Sequence, residues 1–316
     1  TGGALNISIN AIIGDTGYAD FYHSGGTHTV MSTLFVGANS GSNGDYRLSG
    51  TGSLTANYTN IGFYGNGRFF QTGGTHDVAT NLMLGQIADS DGYYYLSNGS
   101  LTTGSVSVGY NGTGSFDQIG GTHTVTNSLS LGINTAGSRG TYNLDGGSLT
   151  VGGSITNGAG SSIISINGGT LLVGEGNGSI DVDILYIGAG SGVSGSHTLS
   201  GNGSITAGSE YIGDGGTGSF TQSGGTHDVT SGLYLGYLSN GNGSYTLTGG
   251  SLTAKAEYIG GLSTGSFTQS GGTHTVTDDL YLGYLSSGNG DYRLSGTGNL
   301  KANYEYIGYD LSLIHI

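Results

Sequence analysis

Residues 265–283 read GSFTQSGGTHTVTDDLYLG, and residues 243–260 read GSYTLTGGSLTAKAEYIG. The two stretches share one frame. Each opens on Gly-Ser-aromatic, passes through a Gly-Gly pair, and closes on an apolar residue and a glycine. His274 in the first stands where Leu252 stands in the second. Within the frame the core-type positions alternate: Phe267 with Gln269, His274 with Val276, Leu280 with Leu282. A period of two is the signature of a strand and not of a helix. The Gly, Asn, Ser and Asp clusters between the alternating runs carry turn chemistry.

The same frame recurs along the chain. GGTHTV occupies 25–30, 120–125 and 271–276, and GGTHDV occupies 73–78 and 224–229. The histidines are His28, His76, His123, His227 and His274, with gaps of 48, 47, 104 and 47. The long gap holds a sixth copy, GGTL at 168–171, in which Leu171 replaces the histidine. Each large unit is two small ones, as the opening pair shows. Small units start at Phe21, Tyr46, Phe69, Tyr94, Phe116, Tyr142, Ile164, His197, Phe220, Tyr245, Phe267 and Tyr292, and Gly2 to Gly14 reads as the tail of a thirteenth. Three short strands in about 24 residues make one rung of a solenoid, too small to fold alone and stabilised by its neighbours. The expected fold is therefore all-β: a parallel β-solenoid (β-helix) of about twelve rungs, three short strands per rung, continuous over residues 1–310. A flexible linker is the other home for 69 glycines. A linker does not hold apolar residues in register over twelve repeats.

Composition narrows the function. The net charge is −14, with six Lys plus Arg against 20 Asp plus Glu. No basic face is available for a phosphate backbone, so no nucleic-acid partner is expected. There is no cysteine, so no disulfide framework depends on the redox compartment. No apolar run approaches the ~18 residues of a membrane span. Thr1 is not an initiator, and Leu311 to Ile316 (LSLIHI) break the repeat and resemble a translated sequencing adapter. The chain thus reads as an internal piece of a longer one, with 311–316 set aside.

Units such as YIGDGGTGSFTQSGGTHDVTSGLYLGY (211–237) and GNGSYTLTGGSLTA (241–254) resemble the glycine-rich strand repeats of large bacterial surface proteins. These include autotransporter-associated repeats and repeat proteins that end in a PEP-CTERM sorting tail. The resemblance covers residues 1 to about 310. It implies an exported bacterial protein, extracellular or at the outer cell surface.

The recurring histidine has three readings: ligand, catalyst or core residue. Leu54, Leu101, Leu149, Ile205 and Leu252 hold its place in the intervening units, which points it inward. Five residues earlier, Gln71, Gln118, Gln222 and Gln269 in histidine units alternate with Leu48, Leu96, Leu144, Leu199, Leu247 and Leu294. A structural core ladder of Gln and His is expected, each glutamine amide serving the imidazole of its own rung, because a buried polar group without a partner is expensive. Histidines two rungs apart stand ~9.6 Å from each other, too far to share an ion, so no metal or cofactor is expected. A catalytic site is one constellation, not a pattern repeated along a chain.

Residues flanking the histidine should face solvent. They form one column of Thr27, Ser53, Thr75, Ser100, Thr122, Ser148 and their successors, and a second of Thr29, Thr55, Asp77, Thr102, Thr124, Thr150 and theirs. Such ranks of hydroxyls resemble an ice-binding face, although Asp77, Asp228, Leu172 and Lys301 interrupt the second. A tyrosine column, Tyr186, Tyr211, Tyr234, Tyr258, Tyr281 and Tyr306, reads first as a structural ladder of stacked aromatics; it is also the candidate sugar-binding surface, with its flat rings as the platform. Asp89, Asp91, Asp181 and Asp183 are the densest carboxylates and read as turn or surface residues. The expected role is a non-enzymatic structural or adhesive region, with surface polysaccharide or other cell-surface components as partners. A binding face for sugar or ice is the alternative. Next comes a scaffold for an enzyme domain elsewhere. Unpaired strands at both ends would also favour end-to-end self-association.

Overall fold

A computed structural model describes residues 2–309; residues 311–316, read above as an adapter, lie outside the described residues. The chain is a parallel β-solenoid of about 13 turns at a spacing of about 24 residues. The sole helical piece among the described residues is a 3-10 turn at Gly174–Gly176. Contacts divide the chain into two compact units. The first runs to Ile163 and adds Gly169–Leu172; the second takes Ile164–Gly168 and the chain from Val173 onward.

In each unit strands pair with the equivalent strands of the rungs before and after, always in parallel. In the first unit Asn43–Leu48 lies between Tyr18–His23 and Asn66–Leu84, which aligns Phe21, Tyr46 and Phe69. In the second, Asn242–Leu247 lies between Thr217–Gln222 and Thr264–Gln269, which aligns Phe220, Tyr245 and Phe267. The segments after the Gly-Gly corner run on: Thr226–Leu235 is one strand of ten residues that carries both the histidine and the LYLG segment. Two of the three expected segments are thus one bent strand. Its register slips between Val229 and Gly232, where the histidine rung has one residue more than its neighbour. In the first unit Asn66–Leu84 pairs through both corners as a single strand of 19 residues.

Alternation places the core. Along Thr217–Gln222 every second residue is buried, and Phe220 and Gln222 are both fully so. The inward aromatic positions stack into a column. In the first unit the Tyr46, Phe69, Tyr94, Phe116 and Tyr142 rings follow one another at 4.6–4.8 Å, and in the second Phe220, Tyr245, Phe267 and Tyr292 are each 4.8 Å apart. One rung spacing of ~4.8 Å is also the stacking distance of aromatic rings, so strand pairing and ring packing are satisfied together.

Two glycine positions are obligatory in this path. The glycine closing LYLG, Gly236, has φ +62°, and a Cβ there would sit 2.0 Å from the Thr264 carbonyl oxygen. The second glycine of the corner pair, Gly225, has φ +69° and would place a Cβ 2.2 Å from the Gly203 oxygen. Gly236 brings a left-handed backbone against the following rung and Gly225 against the preceding one, which only glycine permits.

Candidate functional site

The polar side chains the repeat conserves in register are inside. His28, His76, His123, His227 and His274 are all buried, as are Gln71, Gln118, Gln222 and Gln269. His76 lies between Leu54 and Leu101, and His227 between Ile205 and Leu252, each in exact strand register. The rings of His76, His123, His227 and His274 stack on the phenylalanine of their own rung, as His76 on Phe69 at 4.7 Å and His274 on Phe267 at 4.7 Å, whereas His28 is tilted against Phe21.

The expected direct bond from glutamine to histidine is not made. The glutamine amide nitrogen instead donates to backbone carbonyls: Gln71 Nε2 to Gly74 and Ser100, Gln222 Nε2 to Gly224, Gly225 and Ser251. The tyrosine of the following rung joins the pair. Tyr94 donates to Gln71 Oε1 at 2.6 Å and stands 3.1 Å from His76 Nδ1. Tyr142 does the same for Gln118 and His123, Tyr245 for Gln222 and His227, and Tyr292 for Gln269 and His274. The phenol reaches because Phe and Tyr alternate down the aromatic column, so each histidine rung is followed by a rung with a hydroxyl. In the first copy His23 takes the glutamine position, and both His23 Nδ1 and His28 Nδ1 lie 2.9 Å from the Tyr46 hydroxyl.

The far side of the imidazole differs between units. His76 Nε2 meets Thr59 Oγ1 at 3.2 Å, and His123 Nε2 meets Thr103 Oγ1 at 3.4 Å. In the second unit His227 Nε2 meets Glu210 Oε2 at 2.8 Å and His274 Nε2 meets Glu257 Oε2 at 3.0 Å, with all four side chains fully buried. These contacts lie off the direction of a straight hydrogen bond, and neither carboxylate has another protein donor. The two glutamates are the functional-looking residues that sequence reasoning passed over. Their signal was present: Glu257 in AEYIG holds the inward place of Leu280 in LYLG, opposite it in register. Burial disfavours the charged imidazole, with His76 and His123 in the first unit both lowered to about 3 and His197 in the second to about 4. Among the described residues no three His, Cys, Asp or Glu side chains form a metal-binding group.

Outside, Thr27, Ser53, Thr75, Ser100, Thr122 and Ser148 align in register, as do Thr29, Thr55, Asp77, Thr102, Thr124 and Thr150. Shallow concavities lie where the strand bends beside Asp77 and Asp228, of about 230 and 340 Å³, each flanked by threonines of adjacent rungs.

Tyr186, Tyr211, Tyr234, Tyr258, Tyr281 and Tyr306 are half-buried and stack at 4.6–5.1 Å with their planes within 20°. The column is a stacked ladder: each ring covers the face of the next and leaves edges and hydroxyls outward. A second row, absent from the sequence reading, stands against it. Tyr237, Tyr284 and Tyr309 meet the ladder at 64–84°. Exposed Leu238 follows Tyr237. Asp89 has φ +63°, a turn conformation, and Asp181 is exposed.

No known protein family, no curated protein and no solved structure matches this chain.

Proposed function

We propose that the chain is a non-enzymatic structural or adhesive repeat region of an exported bacterial surface or secreted protein. The observation that carries this reading is where the chemistry goes. The recurring imidazole, carboxamide and phenol groups that could react are spent inside, bonding one rung to the next. What faces outward repeats with the rung: hydroxyls on one side, stacked tyrosines on another. A repeated surface suits multivalent or passive contact, since each rung adds the same weak contact. Protease treatment of intact producing cells tests the setting. Digestion of the repeats without lysis supports it, and digestion only after lysis overturns it.

A second reading, an adhesive face for polysaccharide, is favoured by the outer row of tyrosines in the second unit. Rings in two orientations with hydroxyl edges match a ligand that offers both C–H faces and hydroxyl groups. Retention on insoluble polysaccharide that is lost in Tyr237→Ala with Tyr284→Ala, and kept in Tyr64→Ala at an exposed tyrosine of the first unit, supports this reading. Equal retention of all three proteins counts against it.

A further inference from the structure

The strands that carry the inward aromatic rings have a second side, and it is not uniform along the chain. In the second unit its two columns hold hydroxyls: Thr221, Thr246 and Thr268 in one, Ser219, Ser244 and Ser266 in the other. In the first unit the same two columns hold Arg47, Phe70 and Tyr95 in one, and Asp45, Arg68 and Tyr93 in the other. Both sets pair in parallel register beside the same buried Phe and Tyr column, so stacking demands neither of them. Arginines and half-buried rings in place of small hydroxyls are a departure from the repeat that the core does not explain.

The two guanidiniums are held from beneath. Arg68 places Nε and Nη2 on the Asp45 carboxylate at 2.8 and 3.0 Å. Arg47 places Nη2 on Asp45 at 2.8 Å and Nε on Asp20 at 3.0 Å. Each guanidinium thus spends its Nε–Nη2 edge on the protein, and neither Nη1 has a protein acceptor among the described residues. The open Nη1–Nη2 edge is a second fork that matches a planar carboxylate. The arginine side chains are 36% and 52% exposed, against 16% for Asp20 and 1% for Asp45, so the positive ends are outermost. The next carboxylate along the column, Asp117, is engaged by the Tyr93 hydroxyl and by Asn143 Nδ2, both at 2.8 Å.

Aromatic rings lie beside the forks. Arg47 sits over the Phe70 ring at 4.7 Å, which fixes its guanidinium from one more side. Phe70 meets Tyr93 at 66° and Tyr95 at 55°, with centroids 6.0 and 6.3 Å apart. In the tyrosine ladder of the second unit each ring covers the next; tilted rings leave part of their faces open. A sugar ring packs its C–H face on such a surface, and a carboxylate on the same sugar reaches the guanidinium fork. Tyrosine and arginine are also the residue types that carry most of the energy at interfaces. We propose that Arg47, Arg68, Phe70, Tyr93 and Tyr95 form a binding face for an acidic polysaccharide, a chain of sugar rings that bear carboxylates. The net charge of −14 repels a polyanion at long range, so these local contacts must hold it. The inference goes beyond the function proposed above: it is confined to the first unit and uses none of the outer tyrosines of the second.

The test is binding of the whole chain to immobilised polygalacturonate, with poly-glutamate and neutral dextran as comparisons. Poly-glutamate offers carboxylates without sugar rings, and dextran offers sugar rings without carboxylates. Asp45→Ser, Arg47→Thr, Arg68→Ser and Phe70→Thr together give this face the residues of the second unit and remove the buried carboxylate with its partners. Phe70→Thr with Tyr95→Thr leaves every ion pair in place and gives the reading should the first variant not fold. The native protein is expected to bind polygalacturonate about tenfold or more tighter than either comparison polymer, and each variant to lose about tenfold. Tyr237→Ala with Tyr284→Ala should bind polygalacturonate as the native protein does. The inference is overturned by no binding of the native protein, by equal binding of poly-glutamate or dextran, by unchanged binding in the folded variants, or by a loss confined to the Tyr237 and Tyr284 variant.

Discussion

Tyr94 donates its phenolic hydrogen to Gln71 Oε1 at 2.6 Å, across the boundary between two rungs. The bond joins residues 23 apart in the chain, and His76 Nδ1 completes it at 3.1 Å. The glutamine, histidine and tyrosine of the repeat are therefore one unit spread over two rungs.

Removing that hydroxyl should leave two buried polar atoms without their partner while keeping the ring stack. Tyr94→Phe is expected to destabilise the protein by about 2–6 kcal/mol, the sum of two unsatisfied groups. Tyr95→Phe, at the neighbouring half-buried position, should stay within about 0.5 kcal/mol. Urea unfolding of the two variants checks the difference, and equal losses would contradict the relay.

The buried histidines of the first unit should make it sensitive to acid. Their folded values, about 3 for His76 and His123, lie below the unfolded value, so the folded state stays neutral while the unfolded state takes up protons. This contribution is whole above pH ~6.5 and is lost as pH falls from ~6.5 towards 3. In that window each histidine should subtract up to about 1.4 kcal/mol per pH unit. Hydrogen exchange of Asn66–Leu84 and Thr113–Val125, corrected for the intrinsic rate and compared at pH 7 and 5, reads it; unchanged protection would refute neutral burial.

Asp45 is almost wholly buried and receives Arg47 Nη2 at 2.8 Å and Arg68 Nε at 2.8 Å, while both arginines reach solvent. Loss of the arginines strands a buried carboxylate, but loss of the aspartate lets the arginines turn to water. Arg47→Ala with Arg68→Ala should therefore cost about 3 kcal/mol or more, and Asp45→Ala clearly less. Thermal melts of the two variants decide the order.

Glycine positions that share a positive φ should not be equal in effect. Gly236→Ala combines φ +62° with a contact of 2.0 Å to the backbone of the next rung, whereas Gly41→Ala has φ +77° and open space. The second should cost about 1–2 kcal/mol from conformation alone. The first should cost substantially more, or prevent stacking. Comparable melting temperatures would place the glycine requirement in the turn and not in rung packing.

Much of this protein was determined by the sequence alone. Alternation along Phe267, Gln269, His274 and Val276 defines strands, and its return every 22 to 26 residues leaves a parallel stack as the way to bury those faces. The inward direction of the histidine followed from its exchange with leucine at Leu54 and Leu252. The second-row tyrosines and Glu210 and Glu257 were within reach of the same reasoning, for Glu257 holds the place of Leu280. Only the tertiary structure decided who bonds to whom. In an extended strand Gln71 and His76 lie close in sequence, yet the partner that satisfies both comes from Tyr94, and that of His227 from Tyr245 in the following rung. Hydrogen bonds depend on position to within tenths of an ångström, and a repeat specifies only which residues share a column. The stack supplies the offset between rungs, and with it the relay, the closed faces of the tyrosine ladder and the buried Glu–His contacts.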